Sequence, residues 1–401
     1  MVRIARLIVP VLALVAALAV ALPPSASARS SAAFKETLSD QELRTFEDYV
    51  AARSVFDFKL DAYWREVSDK RALRKKRKVA KLDLRPDDYV QSFPPEYKGP
   101  YLPVALQKRW AQFQSEGRSG PVKTPDPLPT VTDFLSLARA HYGFAPERVA
   151  EREFKRRYAR EALALGLTKN QVVRIYALET SGLGTADMVA GIHPITKKGS
   201  PISTAIGYAQ LLAANTINEI RKSGPAFIER LEQKARRNPE QAEAIHNKIA
   251  SLKRMVTNAR TVPDVWAKQV AHARTGKGLG MHAINIDGDV GPWLQAIKIK
   301  GLKDSAARNG RETLSGSQIE LMNLAGPGTG LEMMRPAGMT APTPNFFERG
   351  AYGRNTIVRG KTSEQLLAAL DERMNSNIKN SGAVEFAEVF DELMAERQAQ
   401  R

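Results

Sequence analysis

Residues 168–184 read TKNQVVRIYALETSGLG, and the way they fold sets the reading of the rest of the chain. Thr168 and Gln171 have the spacing in which a threonine hydroxyl accepts from the amide three residues on while the glutamine reaches back, so a helix starts at about Lys169. From there Val172, Ile175, Tyr176 and Glu179 fall on one stripe at helical spacing, which puts a lone carboxylate on the face that should be buried. Gly182 and Gly184 then end the helix. A carboxylate on an apolar stripe at a helix C-terminus, where the macrodipole disfavours negative charge, has its pKa raised and suits proton donation near neutral pH. The plainer alternative is a glutamate whose head escapes to water past the frayed helix end.

Helical signals continue on both sides. VTDFLSLARAHYG, 131–143, has Asp133 near its start and Gly143 at its stop. APERVAEREFKRRYAREALALG, 145–166, carries Pro146 in an expected first turn and ends at Gly166. Further on, 225–275 reads as a charged helical pair broken near Pro239 and Pro263. A Gly/Pro-rich region follows over 276–355, and the closing segment is helical again. With no run of alternating strands over 131–275, the expected fold class is mainly α.

The first 130 residues differ in character. Arg3 and Arg6 precede sixteen uncharged residues, Leu7 to Leu22, and then PPSASARS, which is the pattern of a cleaved leader with Ala26-Ser27-Ala28 before Arg29. There is no cysteine, so neither a lipid-anchored form nor a disulfide is open to the chain. Export to the periplasm of a Gram-negative bacterium is the expected location. The 401 residues carry a net charge of +17, which suits a polyanionic partner. For an exported chain that partner is cell-wall glycan or an anionic envelope surface; nucleic acid would require the leader to be false. Residues 39–67 read as amphipathic helix, KRALRKKRKVAK (70–81) is either a solvated helix face or a patch for an anionic surface, and 85–103 is an extended Pro/Tyr-rich loop.

Beyond Glu179 lies STAIGYAQLLAANTINEIRKSG, 203–224, in which Gly207 to Gln210 is expected to open a helix running to a stop at Gly224. The pair of stretches, E-T followed after a gap by S-x-A-x-G-x-x-Q-L-x-x-x-x-T, resembles the goose-type lysozyme-like domain of the soluble lytic transglycosylases. The resemblance covers about 165–220, with weaker traces to 355. It implies that Glu179 is the catalytic acid and base, with Thr180 after it. Ser203, Gly207, Tyr208 and Gln210 would then line the glycan site, and Thr216 falls on the same motif. The implied activity is cleavage of the bond between N-acetylmuramic acid and N-acetylglucosamine with a 1,6-anhydro end, and the implied partner is peptidoglycan glycan strands.

The departures are specific. ADMVAGIHPITKKGSPI (186–202) is longer than usual between the motifs. Ala205 and Ile206 replace Gly-Ala, Ala209 replaces Met, and Ala214 stands where Pro is common. The family's third motif, A-Y-N-A-G, has its best match in LMNLAGPGTG (321–330), where a one-residue insertion makes Asn323 the ligand contact. Tyr352 is the candidate for the tyrosine that closes the family's site, against the alternative of a core tyrosine. These changes keep a second reading open, a non-catalytic peptidoglycan-binding or scaffolding protein.

Other chemistries lack their parts. The five histidines (141, 193, 246, 272 and 282) have no zinc spacing, no G-x-S-x-G elbow is present, and the glycine loops GKGLG and GPGTG have no G-K-[ST]. NIDGDVGPWLQA (285–296) lacks the twelfth-position glutamate of a calcium loop and reads as a turn with Pro292 early in a helix. No cofactor or metal is implied. Ordinary glycosidases need two carboxyls. Near Glu179 only Asp187 is at hand, and it reads as a helix N-cap. The expected organisation is therefore a leader (1–28), a basic extension (29–130), a lysozyme-like catalytic domain (131–360) and a helical C-terminal segment (361–401).

Overall fold

The computed structural model describes residues 31–116 and 127–400. The leader, its cleavage site and Arg29 lie outside the described residues. The chain is mainly α, and among the described residues extended pairing is confined to isolated bridges. No helix among them is long and apolar enough to cross a membrane. They form two compact units, one holding the N-terminal segment with 332–366 and the other holding 127–331 with the chain from Leu367 on.

The first unit is built along α1, Asp40–Val79, which opens on a Ser39–Glu42 capping box. The helix runs straight through the basic run, and one face of that run is internal. Arg74, 2% exposed, donates through Nε to Glu332 at 2.8 Å and through its guanidinium to the carbonyls of Asp88 and Asn345. Arg71 pairs with Glu348 and donates to the Phe347 carbonyl. Lys75 and Lys76 remain exposed. The Pro/Tyr-rich loop is extended as expected; Val90 and the Asn345 side chain exchange two hydrogen bonds of 2.8 Å. α2, Val104–Glu116, then places Leu106 and Trp110 against Phe34 and Phe46.

The second unit begins with α3, Val131–Tyr142, with Asp133 in its first turn and a left-handed stop at Gly143, both as expected; the Asp133 carboxylate also accepts from the Thr130 amide at 2.7 Å. α4, Glu151–Ala164, starts later than Pro146 predicts, because the Glu147 amide donates to Asp287 at 2.8 Å and holds 143–150 out of the helix. α5, Lys169–Thr180, carries the predicted Thr168–Gln171 box. α6 is Ala213–Arg237 and α7 is Ala242–Arg260. α8 is Gly276–His282, and α9 is Gly291–Ala307 with Pro292 in its first turn. α10 is Gly316–Ala325, α11 is Ser363–Asn377, and α12 is Ser381–Ala399.

Three expectations change. Gly207–Leu211 is a bridged turn and not the start of a helix, and α6 continues through Gly224 and Pro225. A Cβ at Gly224 would lie 2.3 Å from Val256 Cγ2, so this glycine serves a close crossing of α6 and α7. The domain boundaries also move. Residues 332–366 belong with α1, because Glu332 is the acid that Arg74 needs and Asn345 is the amide that Val90 needs. Residues from Leu367 on belong with Glu179's unit: α12 covers α4 and α5, with Phe386 against Tyr158 and Tyr176 and Glu385 paired to Lys155.

The aspartates of the 285–296 turn are held by a buried cation. Lys248 reaches Asp287 at 3.0 Å, Asp289 at 2.7 Å and Glu147 at 3.1 Å, and the amides of Asp289 and Val290 donate to Asp287. The ammonium satisfies the acids that a calcium loop would turn toward a metal.

Candidate active site around Glu179

Glu179 sits in the last turn of α5, 2% exposed. The buried stripe of the sequence is real: Val172, Ile175 and Tyr176 are all in the core. The helix then stops through two left-handed residues, Ser181 and Gly182. Gly182 is required there, because a Cβ would lie 2.2 Å from the Asn377 carbonyl oxygen. Asn377 and Asn380 in turn donate to the carbonyls of Ala177 and Ser181, so the last turn of α5 is tied to the end of α11 and the start of α12.

What faces Glu179 comes from four other helices. α10 brings Glu320, 1% exposed, and Asn323. The Asn323 amide donates to Glu320 Oε1 at 2.9 Å and reaches Glu179 Oε1 at 3.4 Å, so the two carboxyls face one side-chain amide. Lys298 on α9 and Arg373 on α11 supply positive charge, and Glu219 on α6 adds a third carboxyl close to Lys298. Burial pushes the Glu179 carboxyl well above the ordinary range, and the charge of Glu320 pushes the same way; Lys298 and Arg373 pull it back. Burial also lowers Lys298 against the pull of Glu320, Glu179 and Glu219, and raises Glu219. Glu179 Oε2 is buried with no hydrogen-bond partner.

The second motif forms a turn against α9. Gln295 on that helix accepts from the Ala209 amide at 3.0 Å, and a Cβ at Gly207 would lie 2.5 Å from its Nε2. Lys298 follows Gln295 by three residues, so one face of α9 holds both the turn and the charge cluster. Gln210 is 5% exposed with φ of 41°, a left-handed conformation that costs a non-glycine residue energy. Its Nε2 donates to the carbonyls of Gly207 at 2.7 Å and Met188 at 3.2 Å, while Oε1 is buried without a partner.

The remaining candidates are placed elsewhere. Thr180 is fully buried with its hydroxyl on the Tyr176 carbonyl, because the i−4 carbonyl is its nearest acceptor. Tyr208 lies in an aromatic cluster with Phe154, Tyr158, Tyr176 and Phe386, and its hydroxyl donates to Glu151 at 2.6 Å. Both are structural residues and present no atom to a ligand. Ser203 caps its own turn by accepting from the Ala205 amide. Thr216 meets the buried His282 at 2.8 Å. Tyr352 belongs to the other unit, where its ring meets Trp64 at 5.7 Å and its hydroxyl accepts from the Gly360 amide. Asp187 is no N-cap; it accepts from Thr185 and pairs with Arg148 at 2.7 Å.

Sequence reading found Glu179 and Asn323 but missed Glu320, Lys298, Glu219 and Arg373. Glu320 carries the signal used for Glu179, a lone carboxylate in an apolar run (IELMNLAG), and Lys298 is its cationic counterpart in WLQAIKIKGL. Comparison with protein-family models, with curated proteins and with solved structures gives no match.

Proposed function

We propose that the chain is a peptidoglycan lytic transglycosylase with a lysozyme-like catalytic region, and that Glu179 is its catalytic residue. The observation that supports this reading is the buried Glu179 carboxyl, raised by its burial, with Asn323 of the third-motif match beside it at 3.4 Å. In the first half-reaction protonated Glu179 gives its proton to the glycosidic oxygen as the bond to C1 of N-acetylmuramic acid breaks. In the second, the carboxylate takes the proton of that sugar's 6-hydroxyl as O6 bonds to C1. The proton returns to Glu179 and no water is consumed. Lys298 and Arg373 oppose the negative charge that appears on the Glu179–Glu320 pair between the two steps.

A second carboxyl, Glu320, shares the Asn323 amide with Glu179; the 1,6-anhydro route needs only one carboxyl as acid and then base, whereas ordinary glycosidases use two, about 5–5.5 Å or roughly 6.5–9.5 Å apart. Since Glu179 is 2% exposed, catalysis also requires a movement that bares one oxygen. The reading carries export to the periplasm and docking of the exposed Lys75 and Lys76 on an anionic envelope surface as companion proposals.

A second reading, a non-catalytic peptidoglycan-binding protein, is favoured by Gln210, whose amide donates to its own loop. Incubation with purified peptidoglycan beside Glu179→Gln, with released muropeptides read by mass, separates the two. Anhydro-ended products that vanish in the variant support the transglycosylase. Hydrated ends overturn it in favour of a hydrolase, and sedimentation of both proteins with the wall without release favours the binding protein.

A further inference from the structure

A second concentration of charge in the same unit lies where α4 faces α6, in a pocket of about 450 Å³. α4 contributes Arg157 and Arg160, three residues apart and so on one face. α6 contributes Arg230, Lys234 and Arg237 at spacings of four and three, again one face. Three carboxylates, Glu153, Glu161 and Asp289, also line the pocket and leave it two positive charges in excess.

The pairing shows where the excess resides. Arg157 donates to Glu153 at 2.8 Å and to Asp289 at 3.1 Å, and Lys234 donates to Asp289 at 2.6 Å. Arg230 pairs with Glu161 while its guanidinium lies 4.2 Å over the Trp293 ring. Arg160 and Arg237 are exposed and form no ion pair among the described residues; Arg237 makes one long bond, 3.3 Å, to the Gln233 carbonyl. Glu161 keeps one oxygen without a partner, a repulsive element that an anion must avoid.

We infer that this pocket binds a phosphate group, held by the guanidinium forks of Arg160 and Arg237 beside the Arg230–Trp293 stack. Two unpaired guanidiniums match a phosphate monoester, which carries about −1.5 to −2 at neutral pH, and their planar donors fit its oxygens bidentately. A monocarboxylate would leave one charge uncompensated. The pocket is larger than a phosphate ion, so an organic group attached to the phosphate has room. The inference uses no residue of the Glu179 site and stands independently of the activity proposed there.

Calorimetric titration of the whole protein with inorganic phosphate and with glucose 1-phosphate, at low ionic strength, tests it. We expect saturable one-site binding, weakened about tenfold or more in the Arg160→Gln/Arg237→Gln double variant, the loss of roughly one charge-assisted contact. Both arginines are exposed and unpaired, so the variant should melt like the parent without phosphate. Tighter binding of glucose 1-phosphate marks an organophosphate as the ligand, and equal binding marks the phosphate alone. Lys59→Gln/Lys108→Gln, which removes exposed cations of the other unit, should bind as the parent does. The inference is overturned if heats do not saturate, if succinate binds as well as phosphate, or if the lysine variant loses as much affinity as the arginine variant.

Discussion

Glu179 and Glu320 present their carboxyls to one amide: Asn323 Nδ2 lies 2.9 Å from Glu320 Oε1 and 3.4 Å from Glu179 Oε1. Burial and the neighbouring charge of Glu320 both raise the Glu179 carboxyl, so Glu320 acts as a positioning residue for the acid. Replacing Glu320 by Gln keeps a hydrogen-bonding head and removes the charge that raises Glu179. Glu179 should then ionise at lower pH, so the basic limb of the pH–activity profile moves toward acid by about one unit. A merely structural Glu320 would lower the rate at every pH and leave the limb in place.

Glu179 itself should cost stability at neutral pH. A carboxyl whose folded pKa lies above its unfolded value contributes stability that is complete below about 4.5 and is lost as pH rises through the folded value. Glu179→Gln removes the buried charge and keeps the shape, and should raise stability by about 1–2 kcal/mol at pH 8, as relief of active-site strain commonly does. Scanning calorimetry should show a Tm gain of roughly 2–4 °C at pH 8 that shrinks toward pH 4. A variant less stable than the parent at pH 8 would mean that Lys298 and Arg373 more than offset the burial.

How far the sequence speaks depends on whether a signal is local. The α5 capping box, the Val172–Ile175–Tyr176–Glu179 stripe and the Gly143 stop are all set by residues at most seven apart, and each is found as read. Glu320 and Asn323 reach Glu179 from about 140 residues downstream, and nothing in TKNQVVRIYALET says which helix will cover its acid. Residues 332–366 were invisible as part of the other unit for the same reason, since Arg74 and its partner Glu332 are far apart in sequence. Tyr208 and Thr180 show the limit of motif reading. They stand at motif positions, yet local geometry spends their hydroxyls on Glu151 and the Tyr176 carbonyl.

Gly224 reads as a stop and is instead a contact. Its α6 interior position should cost about 1 kcal/mol relative to alanine in propensity, but a Cβ there meets Val256 Cγ2 at 2.3 Å. Gly224→Ala alone should therefore destabilise by about 1–3 kcal/mol through overpacking. Combined with Val256→Ala, which frees the space, it should recover most of that loss. A double-mutant cycle by urea denaturation checks this, and strict additivity would sink the contact argument.

Lys248 holds the turn that starts α9, and the pH dependence of its partner Asp289 is opposite in sign to that of Glu179. Burial lowers the Lys248 ammonium, but Asp287, Asp289 and Glu147 outweigh it and leave its pKa raised. Burial raises Asp289, yet Lys248 and Lys234 hold its carboxyl far below the ordinary 3.8. A depressed carboxyl contributes stability above its unfolded value and loses it as pH falls toward the folded one. Lys248→Met leaves Asp287, fully buried, and Asp289 without their main cation. The loss should be about 3–5 kcal/mol at pH 7, the usual result of breaking a buried pair from one side. As pH falls through about 5 to 3 the two aspartates take up protons in the variant, and its deficit against the parent should narrow. Urea denaturation at pH 7 and pH 4 measures both values. A deficit equal at the two pH values would assign the loss to lysine packing and remove the charge network from the account of how α9 is held behind Gln295 and Lys298.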